Sequence, residues 1–261
     1  AFAAPGGCGG GGIQDGFDRH GGGPGGGSDA KRTIRAINEV QACGKAPVSE
    51  RKPRVVLVHG LLNADWWLRP LAARLRAEGF ETALFGYSSL FDGPERAVPK
   101  LLVRLRREPA DALVGHSLGG LIALEALRQA PELAVSRVVC LGSPLCGSRT
   151  ARTIAASPWI RPMLGRSAPM LASGMAEWRG QAQVGVVAGD VARGLGRLFA
   201  RFDGGSDGTV GLEETRLPGL ADHCTVHSSH TGLVFSPAAV RQAAHFLRHG
   251  RFEHAGEPPA V

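Results

Sequence analysis

Gly115-His116-Ser117-Leu118-Gly119 sets one serine between two glycines at G-x-S-x-G spacing. The apolar run Ala112-Leu113-Val114 precedes it, short enough for a buried strand. Leu118–Gln129 follows with a helical pattern that stops before Pro131. A serine on a sharp strand-to-helix turn has an exposed hydroxyl and a helix N-terminus aimed at any negative charge developing beside it. Side chains at positions 115 and 119 would collide in such a turn, and Gly120 relieves the helix further. A chain with 38 glycines in 261 residues produces this pattern by chance. Its place between a strand and a helix separates Ser117 from an ordinary turn serine. The chemistry would be nucleophilic attack on an acyl carbon.

Such a nucleophile needs two backbone N–H donors for the tetrahedral oxyanion, a base and an orienting carboxylate. Val56-Leu57-Val58-His59-Gly60-Leu61 ends an early strand. The expected donors are therefore Leu118, directly after the serine, and Leu61, with His59 propping the loop. The histidines after Ser117 are His223, His227, His230, His245, His249 and His254. The last three fall on or beyond the C-terminal helix, and His223 precedes the last strand. His227 and His230 follow that strand, and Ser228-Ser229-His230-Thr231-Gly232 has the length and small residues to aim a side chain, which favours His230. Among the carboxylates, Asp222 reads as a turn residue. On spacing alone Asp190, just beyond the fifth strand, and Asp207, in Gly205-Ser206-Asp207-Gly208-Thr209-Val210, compete evenly.

The elements that must hold these groups alternate. Strands are expected at Val55–Val58, Thr82–Phe85, Ala112–Val114, Val138–Leu141, Val184–Val187 and Thr225–Val226. Helices are expected at Asp65–Glu78, Val98–Arg107, Leu118–Gln129 and from Ser236-Pro237 to Gly250. Alternation of this kind implies an α/β fold, a mainly parallel sheet of about six strands covered by helices. Residues 144–183 break the alternation after the fourth strand. They are rich in Pro, Gly, Met and Trp, and read as a lid over the sheet's carboxyl edge. Within them Trp159, Met163, Met170 and Met175 are the expected substrate-binding side chains, which serve equally to pack the lid onto the sheet.

Residues 1–29 are glycine-dominated and are expected to be a disordered tail. Residues 30–53 form a linker with a short helix near Thr33–Gln41, 54–252 the globular domain, and 253–261 a second tail. The net charge is +7 and the pI about 9.7. The charge is mostly arginine scattered over helices, without a basic run interleaved with aromatics, so no nucleic-acid partner is expected. No stretch approaches about 20 apolar residues, which excludes a transmembrane helix and leaves room for transient lipid-surface contact. Cys8, Cys43, Cys140, Cys146 and Cys224 contain no C-x-x-C pair. Reduced thiols are the default, with Cys8–Cys43 the one conceivable bridge and Cys140 and Cys146 packing residues. The start at Ala1 points to a processed or truncated end, and the thiols lean slightly toward a cytoplasmic over a secreted chain. No His/Cys/carboxylate cluster has ligand spacing, so neither a metal nor a cofactor is expected.

From about Arg54 to Phe252 the sequence resembles bacterial lipases and carboxylesterases of the α/β-hydrolase superfamily. The matching stretches are Val58-His59-Gly60-Leu61, Gly115-His116-Ser117-Leu118-Gly119-Gly120, Gly142-Ser143-Pro144, Ser206-Asp207-Gly208-Thr209-Val210 and Ser229-His230-Thr231-Gly232. The resemblance implies an α/β-hydrolase fold in a compact form lacking the first two strands. It also implies the aspartate of Asp-Gly-x-Val, Asp207, as the acid and His230 as the base. Ester or lipid hydrolysis through an acyl-enzyme on Ser117 is the activity implied. An acyltransferase or thioesterase using the same three residues is the alternative, and a non-catalytic binding protein is disfavoured by the complete set. Some related lipases carry a structural calcium, for which no ligand spacing is evident here. Deleting residues 1–29 is expected to leave the melting temperature and activity almost unchanged. A large fall would show that the segment packs on the domain, and a fall confined to reducing conditions would implicate Cys8–Cys43.

Overall fold

The computed structural model of the chain describes residues 51–193 and 204–254. The glycine-rich segment, the helix expected at Thr33–Gln41, the Cys8–Cys43 pairing and residues 255–261 therefore lie outside the described residues. Four of the five residues of β1 (Arg54–Val58) are buried, as are all five of β3 (Ala112–His116). Strands apolar on both faces belong inside a parallel sheet covered on both sides. With β2 (Glu81–Phe85), β4 (Arg137–Leu141), β5 (Gln183–Gly189) and β6 (Asp222–Val226) they form a six-stranded sheet in the order β2-β1-β3-β4-β5-β6. Every neighbouring pair is parallel.

The chain leaves β1 toward β2 on one side and returns to β3 on the other. Loops following β1 and β3 therefore diverge at their carboxyl ends and open a crevice, where ligands bind in open α/β sheets. Helices α2 (Gly93–Arg107) and α3 (Leu118–Gln129) cover one face, packing Leu101, Leu105, Leu121 and Leu124 on Val56, Val58 and Leu113. Helices α1 (Arg69–Ala77) and α6 (Pro237–His249) cover the other, packing Leu71, Leu75, Val240 and Phe246 on Val55, Leu57, Val114 and Val187. Ser236 caps α6 by accepting from the Ala239 N–H, and Gly250 ends it in the left-handed conformation, as the sequence pattern predicts.

Three boundaries differ from expectation for local reasons. The helix expected over Asp65–Glu78 is a 3-10 turn, Asp65–Leu68, followed by α1, because Pro70 suits only the first turn of an α-helix. Helix α2 starts five residues before Val98: Pro94 sits in its first turn and Pro99 is tolerated inside it. Strand β6 begins at Asp222, so His223 is its second residue rather than preceding it. Asp222 is no simple turn residue either, since its carboxylate accepts the N–H groups of His223 and Phe252, each at 2.7 Å. Between β4 and β5 the chain forms no strand. It makes α4 (Arg149–Ala156), a 3-10 stretch (Arg161–Ser167) and α5 (Ala168–Ser173). No helix among the described residues is long and apolar enough to cross a membrane.

Phe246 is fully buried, its ring 4.9 Å from that of Phe252, and a Cβ on Gly185 of β5 would run into it. Phe246→Ala is expected to cost about 3–5 kcal/mol in a urea unfolding titration. A loss below about 1 kcal/mol would mean that α6 is not locked onto the sheet at this point.

Candidate active site

Ser117 follows β3 with φ 56° and ψ −123°. A non-glycine residue in such a conformation costs about 1–3 kcal/mol and persists only where its surroundings leave no alternative. Two contacts enforce it. The Ser117 N–H donates to the Leu141 carbonyl of β4 at 2.9 Å. A Cβ on Gly119 would lie on the carbonyl oxygen of Val58, so only glycine lets the start of α3 pass this close to β1. The loop after β1 runs against the serine from the other side, where a Cβ on Gly60 would sit 2.9 Å from the Ser117 Cβ.

That loop is held from beneath. His59 is fully buried and stacks on Tyr87 at 4.3 Å; its ring nitrogens lie 2.9 Å from the Gly60 carbonyl and 3.1 Å from that of Tyr87, whose hydroxyl donates back to the His59 carbonyl at 2.9 Å. Burial pushes the His59 pKa down. The Leu62 N–H is taken by Ser89 Oγ at 3.0 Å. Among the described residues the N–H groups of Leu61 and Leu118 meet no protein acceptor. Leu118 directly follows the serine, and Leu61 lines the same cavity as Ser117.

Asp207 is 1% exposed. Its Oδ2 accepts from His230 Nδ1 at 2.7 Å, and its Oδ1 accepts the N–H groups of Thr209 and Val210 at 2.9 and 2.8 Å. Its backbone carbonyl takes the His230 N–H at 2.9 Å. A buried carboxylate is tolerable only when its oxygens are satisfied in this way. The competing residues instead pair with each other: His227 Nδ1 lies 3.0 Å from Asp190 Oδ1, with the His227 side chain 89% exposed. Ser117 and His230 line one cavity, although Ser117 Oγ and His230 Nε2 make no hydrogen bond here. Catalytic hydrogen bonds of this kind often tighten only with substrate in place.

Sequence reasoning assigned no role to Gly142, although it quoted Gly142-Ser143-Pro144. Its φ is +56°, and a Cβ there would come within 3.0 Å of Asp207 Oδ2 and 3.2 Å of His230 Nδ1. The cavity holds about 200 Å³ of free space. Leu61, Leu62 and Pro144 line it near the serine, and Ala151, Ile154, Met163, Leu164 and Leu171 line it from the helices between β4 and β5. Of the four side chains expected to contact substrate, only Met163 is brought there. Trp159 is 92% exposed and is not part of the lining. Met170 and Met175 face two other clefts, the first beside Pro94 and Val98, the second beside Leu127 and Trp178. Cys140 is buried, which pushes its thiol up to about 12, and the Cys146 thiol donates to the Arg216 carbonyl at 3.1 Å. Both fit packing roles. Among the described residues no group of three or more His, Cys, Asp or Glu could hold a metal ion.

Residues 55–255 match the alpha/beta hydrolase family, and the chain belongs to it. Solved structures similar to it include the mature lipase BlEst2 of Bacillus licheniformis (TM-score 0.60, 22% identity, covering 71% of this chain and 88% of that one). Phospholipase PlaB of Legionella pneumophila is similar with a TM-score of 0.58 and 18% identity over 74% of this chain and 56% of that one. The pyrethroid hydrolase PytH is similar with a TM-score of 0.54 and 14% identity over 76% of this chain and 98% of that one. At these identities the likeness is one of fold. No curated protein matches the chain in sequence.

The two aspartates give the sharpest test of the geometry. Asp207→Asn is expected to slow turnover of an activated ester about ten-thousand-fold, because the amide no longer fixes the imidazole's orientation and tautomer. Asp190→Asn is expected to stay close to wild type in the same assay. The reverse order would make the exposed pair the functional one.

Proposed function

We propose that the chain is a serine hydrolase that cleaves carboxylic esters through an acyl-enzyme on Ser117. The observation that carries this reading is the buried Asp207–His230 pair, 2.7 Å apart, whose imidazole shares an apolar cavity with the hydroxyl of Ser117. In this mechanism His230 Nε2 takes the Ser117 proton as Oγ attacks the ester carbonyl, and Asp207 stabilises the imidazolium. The N–H groups of Leu61 and Leu118 hold the oxyanion, each such donor contributing about 2.7–4 kcal/mol to the transition state. The carbonyl–oxygen bond to the alcohol breaks, and the leaving alkoxide takes the proton from Nε2. Water then attacks the acyl-enzyme with its proton passing to Nε2, and Ser117 recovers it as the acid leaves.

The helices between β4 and β5 act in this reading as a cover that supplies the acyl-binding wall. A cavity of about 150 Å³ accommodates a benzene ring. The 200 Å³ here is of the same order, room for a short acyl chain beside the serine. Purified protein is expected to release p-nitrophenol from butyrate to octanoate esters without an added thiol or alcohol acceptor. A fluorophosphonate is expected to label Ser117, and Ser117→Ala to abolish both signals while leaving the melting temperature intact. Retention of activity in a folded Ser117→Ala variant would place the nucleophile elsewhere. Turnover that appears only with an added acceptor would make the chain an acyltransferase.

A further inference from the structure

His230 has four hydrogen-bonding groups, and three are committed. Its N–H donates to the Asp207 carbonyl at 2.9 Å and its Nδ1 to Asp207 Oδ2 at 2.7 Å. Its backbone carbonyl lies 3.0 Å from Nε2 of His116, the residue just before the serine. The fourth group, Nε2, is left for the cavity. We propose that His116 is a positioning residue for His230, donating Nε2–H to the base's own carbonyl so that the loop carrying the imidazole is pinned to the strand end carrying Ser117. This rests on the reading of His230 as the general base.

The chemistry of the contact is determined by its acceptor. A carbonyl oxygen only accepts, so His116 carries its proton on Nε2, and a neutral ring then has a bare lone pair on Nδ1. That atom is buried and has no hydrogen-bond partner among the described residues, which agrees with this tautomer. Burial, and next the neighbouring His230, push the His116 pKa down to about 3. Proton transfer to His230 therefore places no second cation beside the imidazolium, 4.9 Å from ring to ring. The same ring reaches the oxyanion loop, since a Cβ on Gly60 would lie 3.3 Å from His116 Nδ1. One neutral side chain thus sits between serine, base and donor loop. A purely apolar residue could fill the space but would leave the His230 carbonyl unpaired.

Two substitutions separate positioning from packing. His116→Phe keeps a ring and removes the donor; His116→Gln keeps an amide donor near the position of Nε2. The Phe variant is expected to lose about 10- to 100-fold in kcat with KM little changed, the penalty for slight misplacement of a reacting group. Its rate of fluorophosphonate labelling should fall in parallel, and Gln should recover most of both. A folded Phe variant with wild-type kcat overturns the proposal. Equal losses in Phe and Gln also overturn it, since packing alone would then be at stake. Should the Phe variant not fold, nitrogen-15 NMR of the wild-type imidazoles decides. A His116 proton on Nε2, protected from exchange, is expected, and one on Nδ1 refutes the contact. Absence of Ser117-dependent turnover in the wild type would sink the hydrolase reading itself, whereas the NMR result reads the His116 contact independently.

Discussion

Ser117 holds φ 56° and ψ −123°, and no serine does so without being forced by its neighbours. The force comes from closure of a strand onto a helix. Residue 117 must leave β3 with its N–H on the Leu141 carbonyl, and α3 must begin within touching distance of the Val58 carbonyl. Both conditions are met only if the chain reverses at one residue, and the reversal throws the hydroxyl outward while leaving the Leu118 N–H at the head of α3. The strain is offset by packing far from the site: α3 buries Leu121, Ile122 and Leu124 against the sheet, so relaxing the turn would lift a helix off its core.

The remaining groups are delivered by the ends of other strands. The loop after β1 passes the serine because β1 and β3 are neighbours whose onward connections run in opposite directions. The loop after β6 brings His230, and the long excursion after β5 returns to place Asp207 beneath it. Backbone and side-chain hydrogen bonds from residue 207 to residue 230 tie those two loops into one unit. In the proposed mechanism, fixing both partners in advance lets an imidazolium be stabilised without reorganisation.

How much of this could be read from the sequence follows from which residues are governed locally. Ser117, Leu118 and Leu61 sit within a few residues of strand ends, where glycine spacing and apolar runs determine the turn, so their positions in the fold were legible. His230 was open to a sequence reading because only two histidines lie between the last strand and the C-terminal helix. Asp190 and Asp207 were not separable by spacing, because both follow β5 and the length of chain between them says nothing about where it returns. The family resemblance favoured Asp207, and the structure pairs it with His230. The cavity wall was the least legible part. Pro162, Gly165, Pro169 and Gly174 divide the segment into short helical pieces whose facing is decided by contact with α2, α3 and the sheet. Methionine was singled out there for its chemistry, yet Met170 and Met175 pack elsewhere, while Ile154, Leu164 and Leu171, with unremarkable side chains, line the cavity.

The electrostatics of the site depend on a contrast among its histidines. His59 and His116 are both fully or almost fully buried, burial lowers both pKa values, and each serves as a hydrogen-bonding strut. His230 alone lies against a buried carboxylate, whose second oxygen is already satisfied by two backbone N–H groups. Burial opposes a charge on either strut, whereas the His230 ring lies 2.7 Å from the Asp207 carboxylate. In the proposed mechanism the proton from Ser117 passes to the one imidazole of these three that lines the cavity and meets Asp207.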